Sequence, residues 1–185
     1  FLSLNYRIDG LSALSEGNKY GNFGGGALSW NVFEESFYKD SGINNYIDNL
    51  KIRTSYGIVG NSEIGNYPSI GTYDSSTYGG APTLGYSQTA NPNLKWETSS
   101  KFDLGLNFTI LNNRVSVEMD YYKNTIKDLI LKAPQSLSAG IPNNYINENV
   151  GGMYNTGFEL GVSALAVNTK DFSWNINLNL STLTN

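Results

Sequence analysis

The residues of this chain with the most obvious capacity for recognition are tyrosines. Residues 61–93 carry Tyr67, Tyr73, Tyr78 and Tyr86 among many Gly, Ser and Pro, with Glu63 and Asp74 as the charged residues. Phenol rings in such a setting can stack on sugar faces, pack against a peptide, or pack the segment's own small core. A segment this long marks a functional or partner-contacting loop rather than a mere connection. A second long segment, residues 131–152, adds Tyr145. The candidate contacts to a substrate or a covering partner are therefore Tyr67, Tyr73, Asp74, Tyr78, Tyr86 and Tyr145.

Catalysis has little to build on. Cysteine and histidine are absent, which removes disulfides, Cys/His metal sites, Cys nucleophiles and every Ser-His-Asp arrangement. Glu34-Glu35 is the one adjacent acidic pair, but neighbours on an extended segment point apart, so a solvated turn is expected there instead of two opposed carboxylates. Gly24-Gly25-Gly26 lacks the Lys-Ser/Thr of a phosphate loop and reads as close backbone approach or a kink in a strand. Asn107-Phe108-Thr109 matches a glycosylation sequon but falls inside a strand. No enzyme activity, metal or cofactor is expected. The net charge of −4, without any Lys/Arg-rich run, argues against nucleic acid as a partner.

The elements that must position these residues are strands. From Leu94 to Ile110 one face holds Leu94, Trp96, Phe102, Leu104, Leu106, Phe108 and Ile110, while the other holds Lys95, Glu97, Lys101 and Asp103. Asn112-Asn113 then fits a two-residue hairpin, because Asn tolerates positive φ. Pairing Leu111 with Arg114 sets Phe108 opposite Val117, Leu106 opposite Met119 and Leu104 opposite Tyr121. On the polar face this register brings Asp103, Glu118 and Asp120 near Lys95, Lys101 and Arg114, so cross-strand charge pairing is expected. A second hairpin pairs Ala166 with Phe172, Ala164 with Trp174, Val162 with Ile176 and Leu160 with Leu178, turning through Asn168, Thr169 and Lys170. Further strands are expected from Leu2 to Ile8, more weakly from Phe23 to Phe33, and from Leu50 to Ile58, for about seven in all.

Period-two strands also build soluble sandwiches, and three features point elsewhere. Strands of about 11 to 17 residues exceed the usual 5 to 6 and reach the length needed to cross a bilayer obliquely. The apolar faces carry no charge in their central stretches. Aromatic residues gather near strand ends, at Trp96, Phe108, Tyr121, Tyr154, Phe172 and Trp174, as interfacial girdles would require. No apolar run approaches a membrane-spanning helix, and a mean hydropathy of −0.32 suits a barrel whose strands are apolar on alternate residues only. Long connections at 10–22, 61–93 and 131–152 and an intermediate one at 34–49 stand against tight ones at 112–113 and 168–170. Outer-membrane barrels carry such long loops on the extracellular side and short turns on the periplasmic side.

Four motifs carry a family resemblance. Asn91-Pro92-Asn93-Leu94-Lys95-Trp96-Glu97 resembles the NPxLKWE signature that enters a barrel strand in SusC/RagA-type TonB-dependent outer-membrane transporters. Ser55-Tyr56-Gly57 with Gly60-Asn61 is similar to the family's SYGxxGN element. Asp120-Tyr121-Tyr122-Lys123-Asn124-Thr125 with Lys127-Asp128-Leu129-Ile130 resembles DYYxxxTxDLL, and Asn155-Thr156-Gly157-Phe158-Glu159 resembles NxGxE. Their order and spacing agree with the family along nearly the whole chain.

The resemblance implies an all-β fold: an antiparallel transmembrane β-barrel segment of about seven long strands, residues 1–185, from the later part of a barrel of about 22 strands. The plug domain, the TonB-contacting segment and the closing strands are then expected outside it. It implies energy-coupled import of a glycan or peptide at the cell outer membrane of a Bacteroidetes-like bacterium. The implied partners are outer-membrane lipid, a SusD-like surface lipoprotein, TonB and the solute. The readings it competes with are a soluble all-β carbohydrate-binding or adhesive module and a structural barrel subunit of a surface or secretion complex.

Overall fold

The computed structural model describes residues 1–61, 65 and 67–185, so Glu63 lies outside the described residues. In chain order the elements are β1 (Leu2–Gly10), β2 (Tyr20–Asn31), α1 (Ser36–Asp40), β3 (Ile47–Asn61), β4 (Thr72–Tyr78), β5 (Ala81–Gln88), β6 (Glu97–Ile110), β7 (Val115–Lys127), β8 (Ile130–Pro134), β9 (Tyr145–Asn149), β10 (Gly152–Asn168) and β11 (Ser173–Thr184). Seven of the strands form one antiparallel sheet in the order β1-β2-β3-β6-β7-β10-β11, an up-and-down meander that does not close on itself. The other four make two small hairpins, β4–β5 and β8–β9, each standing inside a long connection.

The connections sort by end. One end, the loop end, carries residues 11–19, 62–96 and 128–151; the other, the turn end, carries 32–46, 111–114 and 169–172. The connection at 32–46 is the long member of the turn end and holds α1. Strand β2 accordingly spans Tyr20–Asn31 and ends before Phe33, with a 3-10 turn at Val32–Glu34. Glu34 and Glu35 lie in this connection and bind Asn31 and Trp30 through their carboxylates. They form no opposed acid pair.

The β6–β7 register is the expected one, with Phe108 opposite Val117, Leu106 opposite Met119 and Leu104 opposite Tyr121. Leu111, Asn112 and Asn113 all take φ near +60°, and the Arg114 N–H closes the turn on the Leu111 carbonyl at 3.3 Å. The β10–β11 register differs from the expected one by two residues. Ala164 faces Ile176, Val162 faces Leu178 and Leu160 faces Leu180, and the ladder shifts between Leu165 and Val167, leaving Ala166 unpaired in a bulge. Phe172 belongs to the turn and not to the strand, because the Thr169 hydroxyl accepts from its N–H and the Thr169 N–H donates to its carbonyl at 2.8 Å. The side chain thus mimics a backbone turn and fixes the hairpin one step later.

The triple glycine is a close approach. A Cβ on Gly24 would lie 2.7 Å from the Asn5 carbonyl oxygen and one on Gly25 2.7 Å from that of Tyr56, so β2 can sit against both neighbours only without side chains there.

The outward apolar face is a slanted band. Toward the loop end its continuous run ends at Ile8 on β1, Ile58 on β3, Phe102 on β6, Tyr121 on β7, Phe158 on β10 and Leu180 on β11, with Tyr154 standing beyond the run on β10. Carried along the pairing onto β7, with the β2–β3 register continued two residues past Gly24 and Ile58, these fall opposite positions that drift from Lys127 at β1 to Met119 at β11. A drift of about eight residues over six strand steps, at ~3.4 Å per residue and ~4.8 Å between strands, is a tilt of about 40°. This is the inclination at which barrel strands cross a flat apolar layer.

Candidate functional site

The loop end is held together by the segment Asn91–Glu97, and each residue type there has a distinct task. Asn91 accepts from the Asn93 N–H through its side chain, while its carbonyl accepts from the Leu94 N–H, so the chain turns back on itself. Its amide donates to the Asn147 carbonyl at 2.7 Å, reaching the connection at 128–151. The Pro92 carbonyl receives the Ser15 hydroxyl and the Asn18 amide of the connection at 11–19. Leu94 is fully buried (0% exposed), in the company of other buried residues of this end, Leu14, Ala13 and Phe23.

Lys95 pairs with Asp128 at 3.0 Å, and its backbone N–H and carbonyl are both bound by the Asn149 side chain. The Trp96 ring packs edge-on against Phe23 with centroids 5.4 Å apart, and its indole N–H donates to the Lys19 carbonyl at 3.1 Å. Trp96 therefore belongs to the loop-end core, and the expectation that it forms part of an outward girdle is corrected: its partner Phe23 lies on the polar side of β2. Glu97 accepts from the Asn61 amide and the Ile130 N–H. One heptapeptide thus ties three connections to one another.

The six candidate contact residues are only partly brought together. Tyr73 and Tyr86 face each other across β4–β5 with rings 5.2 Å apart and tilted by 41°, and both are exposed, Tyr73 to 63%. Leu84 and Pro82 continue that face of the hairpin. Asp74 and Tyr78 lie on its opposite face, with Tyr78 at the tip and 85% exposed. Tyr67 sits at the hairpin's base, where its carbonyl accepts from the Gln88 amide. Tyr145 stands apart, opening β9 with the Lys132 ammonium 4.6 Å from its ring centre. Among the described residues the arrangement offers a paired-ring platform and no nucleophile beside a base.

The polar face of the sheet carries a second cluster. Arg53 on β3 crosses β6 to reach Glu118 and Asp120 on β7, the latter at 2.7 Å, and its Nε donates to Asn107 at 3.0 Å. Gly105 lies under the crossing: a Cβ there would come within 2.5 Å of the Arg53 Nε and 2.6 Å of Asp120 Oδ1. The expected charge pairing exists, but with a different cation. Lys95 is engaged at the loop end by Asp128, and among the described residues Lys101 and Arg114 form no ion pair with these carboxylates. Arg53 lies on a third strand, outside the β6–β7 hairpin whose pairing the sequence pattern specifies; a glycine in the middle of a charged strand face is the signal of its crossing.

The comparisons fit this geometry. Residues 2–185 match the family model described as TonB dependent receptor-like, beta-barrel. The chain is 36% identical over 179 residues to a TonB-dependent receptor of Formosa agariphila, covering 95% of this chain and 17% of that protein. It is 32% identical over 191 residues to the TonB-dependent receptor SusC of Bacteroides thetaiotaomicron, covering 95% of this chain and 18% of that one. Among solved structures, the RagAB peptide importer in its closed-closed state superposes with a TM-score of 0.85 at 30% identity over 98% of this chain and 20% of that chain. Its open-open state gives 0.74 at 32% identity over 100% of this chain and 20% of that chain. The chain therefore spans about a fifth of the length of the proteins it matches.

Proposed function

The chain belongs to the TonB-dependent receptor β-barrel family, and from that premise we propose that it forms part of the wall and three outer loops of an outer-membrane importer of a large nutrient, a glycan or a peptide. The slanted apolar band carries this reading: a planar layer of hydrocarbon crossing strands tilted by about 40° demands that drift, whereas a soluble sandwich has no plane to match. The opposite face, with Arg53, Glu118, Asp120 and Asn107, lines the lumen. The loop end faces outward from the cell and the short turns face the periplasm.

In this reading energy reaches the barrel from TonB through a plug domain outside this chain. A SusD-like lipoprotein covers the loop end, as suits kinship with SusC and with the RagAB importer. The Tyr73–Tyr86 platform is the surface of this segment best placed to touch cargo or lid, because it is apolar, exposed and held on a hairpin. The protein does no chemistry on its cargo. Residues 1–185 constitute a partial barrel domain.

The test is to recover the protein from a detergent-solubilised outer-membrane fraction and identify what comes with it. Peptides of this chain in a species several times its 20.3 kDa, together with a surface lipoprotein, support the proposal. A soluble species of the chain's own mass overturns it. Replacing Tyr73 and Tyr86 by Ala is expected to lower uptake of the cargo while leaving the barrel in the membrane.

A further inference from the structure

On the outward face, the positions paired across the seven strands are apolar or uncharged with two exceptions. Both are lysines, Lys123 and Lys127; both lie on β7, and both stand at its loop end. Among the described residues no carboxylate shares that paired face, and both side chains are exposed without an ion pair or hydrogen bond. The band ends on β7 at Tyr121, whose ring packs against Phe102 with centroids 6.4 Å apart. Lys123 is thus the first outward residue above the aromatic edge, and Lys127 stands two outward positions further. Thr125 lies between them with Tyr154 opposite it on β10, and Ser100 and Thr156 flank them on β6 and β10. The lumen contrasts with this: there Arg53 is matched by Glu118 and Asp120.

An unmatched charge of a single sign, directly above an apolar band, has one suitable neighbour in the plane of the bilayer. We propose that Lys123 and Lys127, with the hydroxyls between them, bind the anionic headgroups of outer-leaflet lipid. The ammonium groups meet the phosphates or carboxylates of a headgroup while the lysine stems and the Tyr121 and Phe102 rings lie along its acyl boundary. The site faces away from the lumen, so it acts on the barrel's seating and not on the cargo. It rests on the membrane reading above.

The test uses the full-length receptor, as wild type, Lys123→Gln/Lys127→Gln and Lys101→Gln, each purified from outer membranes and assayed for retained phosphate-bearing lipid by native mass spectrometry. Lys101 is the matched control, since it is an exposed lysine of the adjacent strand on the lumen face, opposite Asn124. The double variant should retain at least fivefold less lipid than wild type, the control should equal wild type, and added salt should erase the difference. Equal retention by wild type and double variant, with the receptor in the membrane, overturns the headgroup site and leaves the importer reading intact. A receptor found in the soluble fraction overturns both.

Discussion

The loop end and the wall of the sheet solve the problem of apolar surface in opposite ways. At the loop end Leu94 and Leu14 are as buried as any core residue, and Ala13 and Phe23 are buried with them. On the wall, among the described residues, Val117 is the one strand residue of the outward face that reaches that class, while Leu28, Trp30, Tyr56, Leu104, Tyr121 and Phe158, all on strands with a neighbour on either side, stay substantially exposed. The loop end packs against itself as a soluble domain does. In the proposed barrel the wall leaves its apolar face for the bilayer to cover. The stability of the two regions must then answer to different surroundings.

Substitutions can break that contrast. Leu94→Ala should have the largest effect, about 2–5 kcal/mol, since it removes a fully buried side chain and leaves a cavity in the loop-end core. Limited proteolysis should show the three outer connections opening together, in detergent and in lipid alike. Leu106→Lys should cost about 2–4 kcal/mol in lipid, as a charge near the midplane of the outward face, whereas Ser55→Lys, which faces the lumen opposite Asp103, should stay within about 0.5 kcal/mol. Urea titration of the receptor folded into vesicles measures both; equal costs would refute the assignment of faces.

Arg53→Met should cost about 1–2 kcal/mol, because Glu118 and Asp120 lose their shared cation, and the partial exposure of the site keeps the loss modest. Its thermal transition should be recovered in part by adding Glu118→Gln. The smallest effect belongs to the turn end. Tyr38 is buried, donates to the Ile47 carbonyl at 2.8 Å, and has its phenol pKa pushed up by burial and by Asp48. Its neutral form is thus favoured by folding, so its contribution is complete below the ordinary tyrosine range and is lost as pH rises through the folded value. Tyr38→Phe should cost about 1 kcal/mol near neutral pH and flatten that alkaline loss.

The wall was the legible part of the molecule. Alternation from Phe102 to Ile110 and from Val115 to Tyr121 fixes which residues face each other, because a one-residue slip would turn every apolar side chain to the wrong face. A two-residue slip keeps the faces intact, which is why the β10–β11 pairing could be misplaced while still matching apolar with apolar. What distinguished the two registers was the Thr169 turn and the Ala166 bulge, features of one residue each that periodicity does not report. The heptapeptide at 91–97 was visible as a motif, but its role was not: its partners Ser15, Lys19, Asp128 and Asn149 are far away in sequence. The tyrosines were found by composition, and only the fold separates the facing pair Tyr73 and Tyr86 from Tyr78 and Tyr145.

The slant of the apolar band means that depth in this wall works like the pitch of a screw. Leu4 and Lys123 lie on one line of paired residues running through Gly26, Tyr56 and Phe102, yet in the proposed membrane setting the first faces hydrocarbon and the second stands above it. A chimera that exchanged strands with a related receptor by matching hydrogen-bonded partners alone would keep its ladder and still carry a lysine down into the membrane. Such grafts need to preserve the phase of the spiral as well as the pairing.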